Sequence, residues 1–197
     1  AATAALLGGA DVTSAVATAV EAAARFVAAG GATALSTNDG PVPDRQPASD
    51  AFGLASRVRE GGGCLIATGG CFDLLHPGHV SLLRQARALG DALVVCLNSD
   101  ASVRALKGPG RPLVHDRDRA RLLAALSFVD AVVVFDEPSP VAVLERLRPD
   151  VWVKGGDYAA ADLPERAVVE RHGGEVVLVP AVPGYSTSRL VAAAASA

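Results

Sequence analysis

From residue 64 onward, short apolar runs alternate with amphipathic helical patterns. The runs cover residues 64–68, 92–98, 131–135, 151–154 and 175–180. They are apolar at successive positions rather than every second one, which suits strands buried on both faces. Apolar residues recur at helical spacing over 78–89, 100–106, 117–126, 140–147 and 164–172, and a last helix is expected at about 186–195. Strand and helix in strict alternation predict right-handed βαβ units and a parallel sheet. The fold class is therefore α/β: a doubly wound parallel sheet with a short helical N-terminal appendage. In such sheets ligands bind beyond the carboxyl ends of the strands, where the winding reverses.

The first part of the chain reads differently. Val16, Val20, Ala23, Ala24 and Val27 mark one stripe, so residues 13–29 are expected to form a helix that Gly30 and Gly31 stop. Residues 36–50, STNDGPVPDRQPASD, carry no periodicity and read as a linker. A short helix over 50–60 is closed by Gly61, Gly62 and Gly63. The expected organisation is a helical segment at 1–35, a linker at 36–60 and the α/β domain at 61–197.

Composition narrows the classes. A 50% hydrophobic chain can build a sizeable core, and a net charge of −3 argues against a nucleic-acid-binding surface. Cys64, Cys71 and Cys96 have no metal-ligand spacing and form no even disulfide set, which suits a reducing cytoplasm. No stretch is long and apolar enough to span a membrane, and no leader pattern is expected at the start.

The chemistry concentrates in GCFDLLHPGH, residues 70–79. His76 and His79 lie three residues apart where a strand turns into a helix. A helix N-terminus offers unpaired N–H groups and partial positive charge, and so attracts phosphate. Imidazoles add donors near neutral pH, and Gly78 lets the backbone approach a ligand. Three further polar or glycine-rich segments fall on the same expected sheet edge: Asn98 to Asp100, Lys154 to Tyr158, and Gly184 to Ser188. Asp100 also suits an N-cap, and Ser186, Thr187 and Ser188 suit a capping cluster that could equally hold phosphate. Trp152 lies on a strand and is expected in the core.

GCFDLLHPGH resembles the first motif of the HxGH nucleotidyltransferases, the cytidylyltransferase-like superfamily. The resemblance extends over roughly residues 64–192. VKGGDY at 153–158 and YSTSRL at 185–190 resemble the heptose 1-phosphate adenylyltransferases most closely. It implies a Rossmann-like sheet and transfer of AMP from ATP to D-glycero-β-D-manno-heptose 1-phosphate, giving ADP-heptose and pyrophosphate. Mg²⁺ would travel with the ATP, with no dedicated metal site. The resemblance implies catalytic roles for His76, His79 and Lys107. Nucleotide binding would fall to Gly69, Gly70, Cys71, Phe72, His76, Gly78, His79, Arg119, Lys154, Gly155, Asp157, Tyr185, Ser186, Thr187 and Ser188. Asp73, Asn98, Asp100 and Lys107 would face the acceptor. The resemblance, not helical geometry, picks Arg119 over Arg117 and Arg121.

Residues 1–35 are similar to the tail of a ribokinase-like sugar kinase but lack the Gly-Ala-Gly-Asp motif of its base, so no kinase activity is expected. A separate sugar kinase upstream and a homodimer are compatible with the resemblance. Glycerol 3-phosphate and phosphoethanolamine cytidylyltransferases are the nearest alternative. They carry an Arg-Thr-x-Gly lead where this chain has Val182-Pro183-Gly184-Tyr185, and a second acid where it has Gly156. A non-catalytic nucleotide-binding module is the alternative from another class.

Overall fold

The computed structural model describes residues 9, 11–28, 51–156, 163–180, 182, 184, 185, 187, 190 and 191. The chain divides into two compact units, Ala1–Asp44 and Arg45–Ala197. In the first unit, helix α1 spans Val12–Ala28. Asp11 caps it, accepting from the Ser14 N–H at 3.1 Å and the Ser14 hydroxyl at 2.7 Å. The expected linker at 36–50 lies outside the described residues.

The second unit runs α2 (Ala51–Glu60), β1 (Leu65–Gly70), α3 (Pro77–Arg87), β2 (Ala92–Asn98), α4 (Asp100–Lys107) and α5 (Asp116–Ala124). It continues through β3 (Ala131–Phe135), α6 (Val141–Leu147), β4 (Val151–Gly155), α7 (Arg166–Arg171) and β5 (Glu175–Val179). All strand pairs are parallel and the order is β3-β2-β1-β4-β5. The five apolar runs are thus the five strands of one doubly wound sheet. Of the expected final helix, residues 187, 190 and 191 are helical, and 186, 188, 189 and 192–195 lie outside the described residues.

Alternate residues of each strand feed two cores. Leu65, Ala67, Val94, Cys96 and Trp152 pack on one side with α2, α6 and α7. Ile66, Leu93, Val95, Leu97 and Val153 pack on the other with α3 and α5. Three carboxylates finish the amino edge of the sheet. Asp91, Asp130 and Asp150 accept the N–H of Cys64, Leu93 and Leu65 at 2.7, 2.8 and 2.7 Å. That edge is therefore closed by structural bonds. At the carboxyl edge the winding reverses between β1 and β4, which opens a crevice there.

The domain begins earlier than residue 61. Ala51 and Ala55 of α2 are fully buried, and Phe52, Leu54 and Val58 pack against the same core. Arg59 donates to the Leu147 carbonyl at 2.9 Å, and Arg146 lies 3.9 Å over the Phe52 ring. Residues 51–60 are thus part of the second unit rather than linker. Their burial contributes about 1 kcal/mol per half-buried large side chain, out of a total of roughly 5–15 kcal/mol for a domain. A chain starting at Arg45 should therefore melt cooperatively near the full-length Tm. A chain starting at Gly61 should lose its cooperative transition in calorimetry. Equal melting of the two truncations would show that α2 is dispensable.

Candidate active site

β1 delivers the chain to the crevice. Thr68 donates its hydroxyl to the Val153 carbonyl at 2.8 Å, tying β1 to β4. Gly69 follows because Trp152 fills the space: a Cβ there would sit 2.7 Å from the indole Cη2. Trp152 is itself fully buried, as a core residue. Phe72 then turns the chain with φ 44°, a conformation uncommon for any non-glycine residue and costly for a bulky one. Its ring is buried and meets the His79 ring at 5.0 Å, tilted by 53°.

This turn makes His76 the N-cap of α3, with extended backbone (φ −142°, ψ 166°) and Pro77 opening the helix. The His76 Nδ1 accepts from the His79 backbone N–H at 3.3 Å. In the neutral ring the proton therefore sits on Nε2, which becomes a donor. The two imidazoles stack at 3.8 Å with 16° between planes. Gly78 is small for a reason: a Cβ would lie 3.1 Å from the His76 ring and 3.4 Å from the Tyr185 Cβ. The Tyr185 ring completes the wall, 6.3 Å from His76.

Burial pushes the His79 imidazole down to about 4, with the adjacent His76 and Lys107 acting in the same direction. Burial also lowers His76. Both rings are neutral donors at pH 7 in the substrate-free protein. The His79 Nδ1 is buried without a hydrogen bond, although the Leu74 carbonyl is near enough to favour the protonated form slightly. Lys107 ends α4, is exposed, and is near enough to depress both His79 and the Cys71 thiol. The Cys71 thiol is nonetheless raised, because burial outweighs the cations around it.

The remaining expected residues divide. Asp73 is buried beneath the turn and accepts from Arg111 Nε (2.5 Å), Leu113 N–H (2.7 Å) and Val114 N–H (3.0 Å). All three of these bonds go to residues 111–114. Arg119 has no exposed side-chain surface. Its guanidinium donates to the carbonyls of Val114, Cys71 and Asn98 at 2.8, 2.6 and 2.8 Å, and to the Asp100 carboxylate at 2.8 Å. Four of its five N–H groups are spent inside the protein, so Arg119 braces the crevice instead of lining it. Asp100 is the first residue of α4, and Ser99 is the N-cap, accepting from the Ser102 N–H at 3.2 Å. The Asp100 carboxylate serves Arg119, the Asp116 N–H (2.8 Å) and His115 (2.8 Å). Asn98 is buried and donates to the Ser102 hydroxyl at 2.9 Å.

Lys154 forms a 2.6 Å ion pair with Glu165, a partner no local pattern announces. Gly155 packs on Leu82, 3.0 Å from where a Cβ would stand. Thr187 is helical. Asp157, Ser186 and Ser188 lie outside the described residues. Among the described residues, no three His, Cys, Asp or Glu side chains cluster as metal ligands. An open cavity of about 710 Å³ runs along the outer face of α3 and meets the turn at His76.

At the switch-point turn of this doubly wound sheet two stacked imidazoles stand on a helix N-terminus, an arrangement suited to binding phosphate. The chain belongs to the cytidylyltransferase-like family, whose model matches residues 67–191. It is 55% identical over 192 residues to the bifunctional protein HldE of Streptomyces coelicolor, covering 96% of this chain and 42% of that protein. It is 52% identical over 143 residues to the bifunctional protein HldE of Koribacter versatilis, covering 73% of this chain and 29% of that protein. The chain thus spans less than half the length of these curated relatives. The crystal structure of the lipopolysaccharide core biosynthesis protein from Thermoplasma volcanium matches with a TM-score of 0.52 at 27% identity. That match covers 61% of this chain and 97% of the other.

The depressed His79 has a pH consequence. Its folded value lies near 4, below the ordinary 6.5, so the unfolded chain binds the proton first as pH falls. Stability from this residue is complete above pH 6.5 and is lost between about 6.5 and 4. His115 acts oppositely, because Asp100 raises it. Comparing Tm between pH 7 and 4.5, His79→Gln should lose less than the wild type. Parallel curves would mean that His79 titrates normally.

Proposed function

We propose that this chain transfers AMP from ATP to D-glycero-β-D-manno-heptose 1-phosphate, giving ADP-heptose and pyrophosphate. The observation that carries this reading is the stacked His76–His79 pair at the α3 N-terminus, with Lys107 beside it, at the switch point of the sheet. Identities above 50% to proteins named HldE support the sugar-phosphate assignment. So do the VKGGDY and YSTSRL segments.

The reaction needs no enzyme nucleophile. An oxygen of the acceptor phosphate attacks the α-phosphorus of ATP. The new O–P bond forms as the bond to the β-phosphate bridging oxygen breaks, and pyrophosphate leaves in line. Catalysis is then positioning and charge stabilisation. His76 Nε2 and His79 donate to the phosphate oxygens, the α3 N-terminus adds its partial charge, and Lys107 supplies a full one. The neutral imidazoles gain strength as negative charge develops, because protonation becomes favourable beside it. Mg²⁺ enters with ATP as part of the substrate, held by phosphate oxygens and water. Thr187, with Ser186 and Ser188, is assigned to the β- and γ-phosphates, and Asp157 and Tyr185 to the nucleoside.

Residues 1–35 are read as the end of a kinase-like segment. The Streptomyces alignment takes in 96% of the chain and so includes most of residues 1–50, consistent with a two-part protein. A cytoplasmic location is part of the same proposal. Its supports are three free cysteines and, among the described residues, no helix long and apolar enough to cross a membrane.

Two measurements test the proposal. Specificity constants across ATP, CTP, GTP and UTP with heptose 1-phosphate, glycerol 3-phosphate and phosphoethanolamine should peak at ATP with heptose 1-phosphate. Glycerol 3-phosphate should be rejected strongly, on the order of ten-thousandfold, since it leaves hydroxyl-bonding groups unpaired. A preference for CTP with glycerol 3-phosphate would overturn the substrate assignment. Separately, His79→Ala should lower kcat roughly a hundredfold to a thousandfold, the loss typical of one oxyanion donor. Calorimetric ATP affinity should change little. An unchanged kcat with raised KM would mean ground-state binding only.

A further inference from the structure

We propose that Asp73 is a positioning residue: it clasps the loop that follows Lys107 to the histidine turn, and it acts on catalysis through Lys107. The inference rests on the transferase reading, in which Lys107 brings charge to the triphosphate.

Asp73 stands three residues before His76, inside the turn that sets the imidazoles. Its side chain is 1% exposed. All three of its donors come from residues 111–114, which are 38 to 41 positions away in the chain. One carboxylate oxygen takes the Arg111 guanidinium, and the other takes the two successive N–H groups of Leu113 and Val114. These residues form the connection from Lys107, at the end of α4, to α5.

Arg119 doubles the attachment. It donates to the carbonyl of Val114, whose own N–H goes to Asp73. The same guanidinium reaches the Cys71 carbonyl, one residue from Phe72 in the turn. The loop and the turn are thus joined by two buried ionic groups. The need for such a clasp is plain in the loop itself. Gly108, with φ +94°, and Gly110 have open space around them, and two backbone bonds, Gly108 N–H to the Arg104 carbonyl and Arg111 N–H to the Gly108 carbonyl, are what the segment next to Lys107 has besides the clasp. Lys107 itself is exposed.

Direct substrate contact fits Asp73 poorly. It has almost no exposed surface, and its negative charge would repel phosphate. A carboxylate is nevertheless required. In asparagine, the amide NH₂ would meet the Arg111 Nε–H donor to donor, while the remaining oxygen could still serve Leu113 and Val114. Asp73→Asn therefore cuts one leg of the clasp with almost no change in shape.

The test is a double-mutant cycle in the full chain with Asp73→Asn and Lys107→Ala, reading kcat and both KM values with ATP and heptose 1-phosphate. Hydrogen exchange of residues 108–114 is followed alongside. Each single variant should lower kcat/KM. The double variant should match Lys107→Ala within about twofold, the scatter of non-interacting sites. Exchange should rise at 108–114 in Asp73→Asn while the sheet stays protected. Effects that multiply in the double variant, or unchanged exchange in the loop, would overturn the proposal. If Asp73→Asn does not fold, Arg111→Gln removes the same leg and its cycle with Lys107→Ala decides. If the wild type itself fails to turn over these substrates, the transferase reading falls, and the exchange result alone still decides the clasp.

Discussion

The geometry of the site depends on one tight turn at the carboxyl end of β1. Trp152 presses against Gly69, and Phe72 adopts a left-handed backbone conformation. Together they redirect the chain so that His76 falls at the N-cap of α3. From there its Nδ1 takes the amide of His79, the third residue of the helix, and its ring lies flat on that of His79. The strained residue is held by burial of its own ring against His79. Strain stored at a turn is affordable where the surrounding sheet over-determines it. Here the two sheet cores and the Thr68 bond to β4 do so.

Around the turn, charge is sorted by depth. Buried ions face one another or backbone carbonyls: Arg119 with Asp100, Arg111 with Asp73, Lys154 with Glu165. Among the described residues, the groups at the crevice include the two neutral imidazoles and the exposed Lys107. A buried charge is tolerated only when paired and hydrogen-bonded, so the paired ions are the frame. The neutral histidines are free to respond to an incoming anion. This division lets a chain of net charge −3 present a local, donor-based attraction to an anion.

Much of the fold can be read in the sequence because the sheet is covered on both faces. Runs such as ALVVCLN at 92–98 are apolar throughout, and such runs alternating with helices leave few topologies. The histidine turn is legible because His76, Pro77 and Gly78 stand between an apolar strand run and a helical pattern. Other features depend on contacts far apart in the chain. Residues 51–60 carry only small or half-buried apolar side chains, so their membership in the core shows only after α6 packs against them. Arg119 sits among other arginines in DRDRARLLA, and nothing local says that it turns inward. Ser99 and Asp100 are both good caps, and the choice between them is made by Arg119, Asp116 and His115 competing for the carboxylate. Glu165 owes its role to Lys154 on β4, eleven residues earlier.

The central claim is that the histidine turn is the triphosphate site and that its imidazoles are neutral until an anion arrives. The most direct measurement is the titration of individual histidine ring nitrogens by NMR, with and without a non-hydrolysable ATP analogue. His79 should stay neutral down to about pH 4 in the free protein. It should titrate at higher pH when the analogue is bound, because nearby phosphate favours the charged ring. His115, held by Asp100, should not move. A His79 that titrates near 6.5 in the free protein, or that ignores the analogue, would contradict the claim.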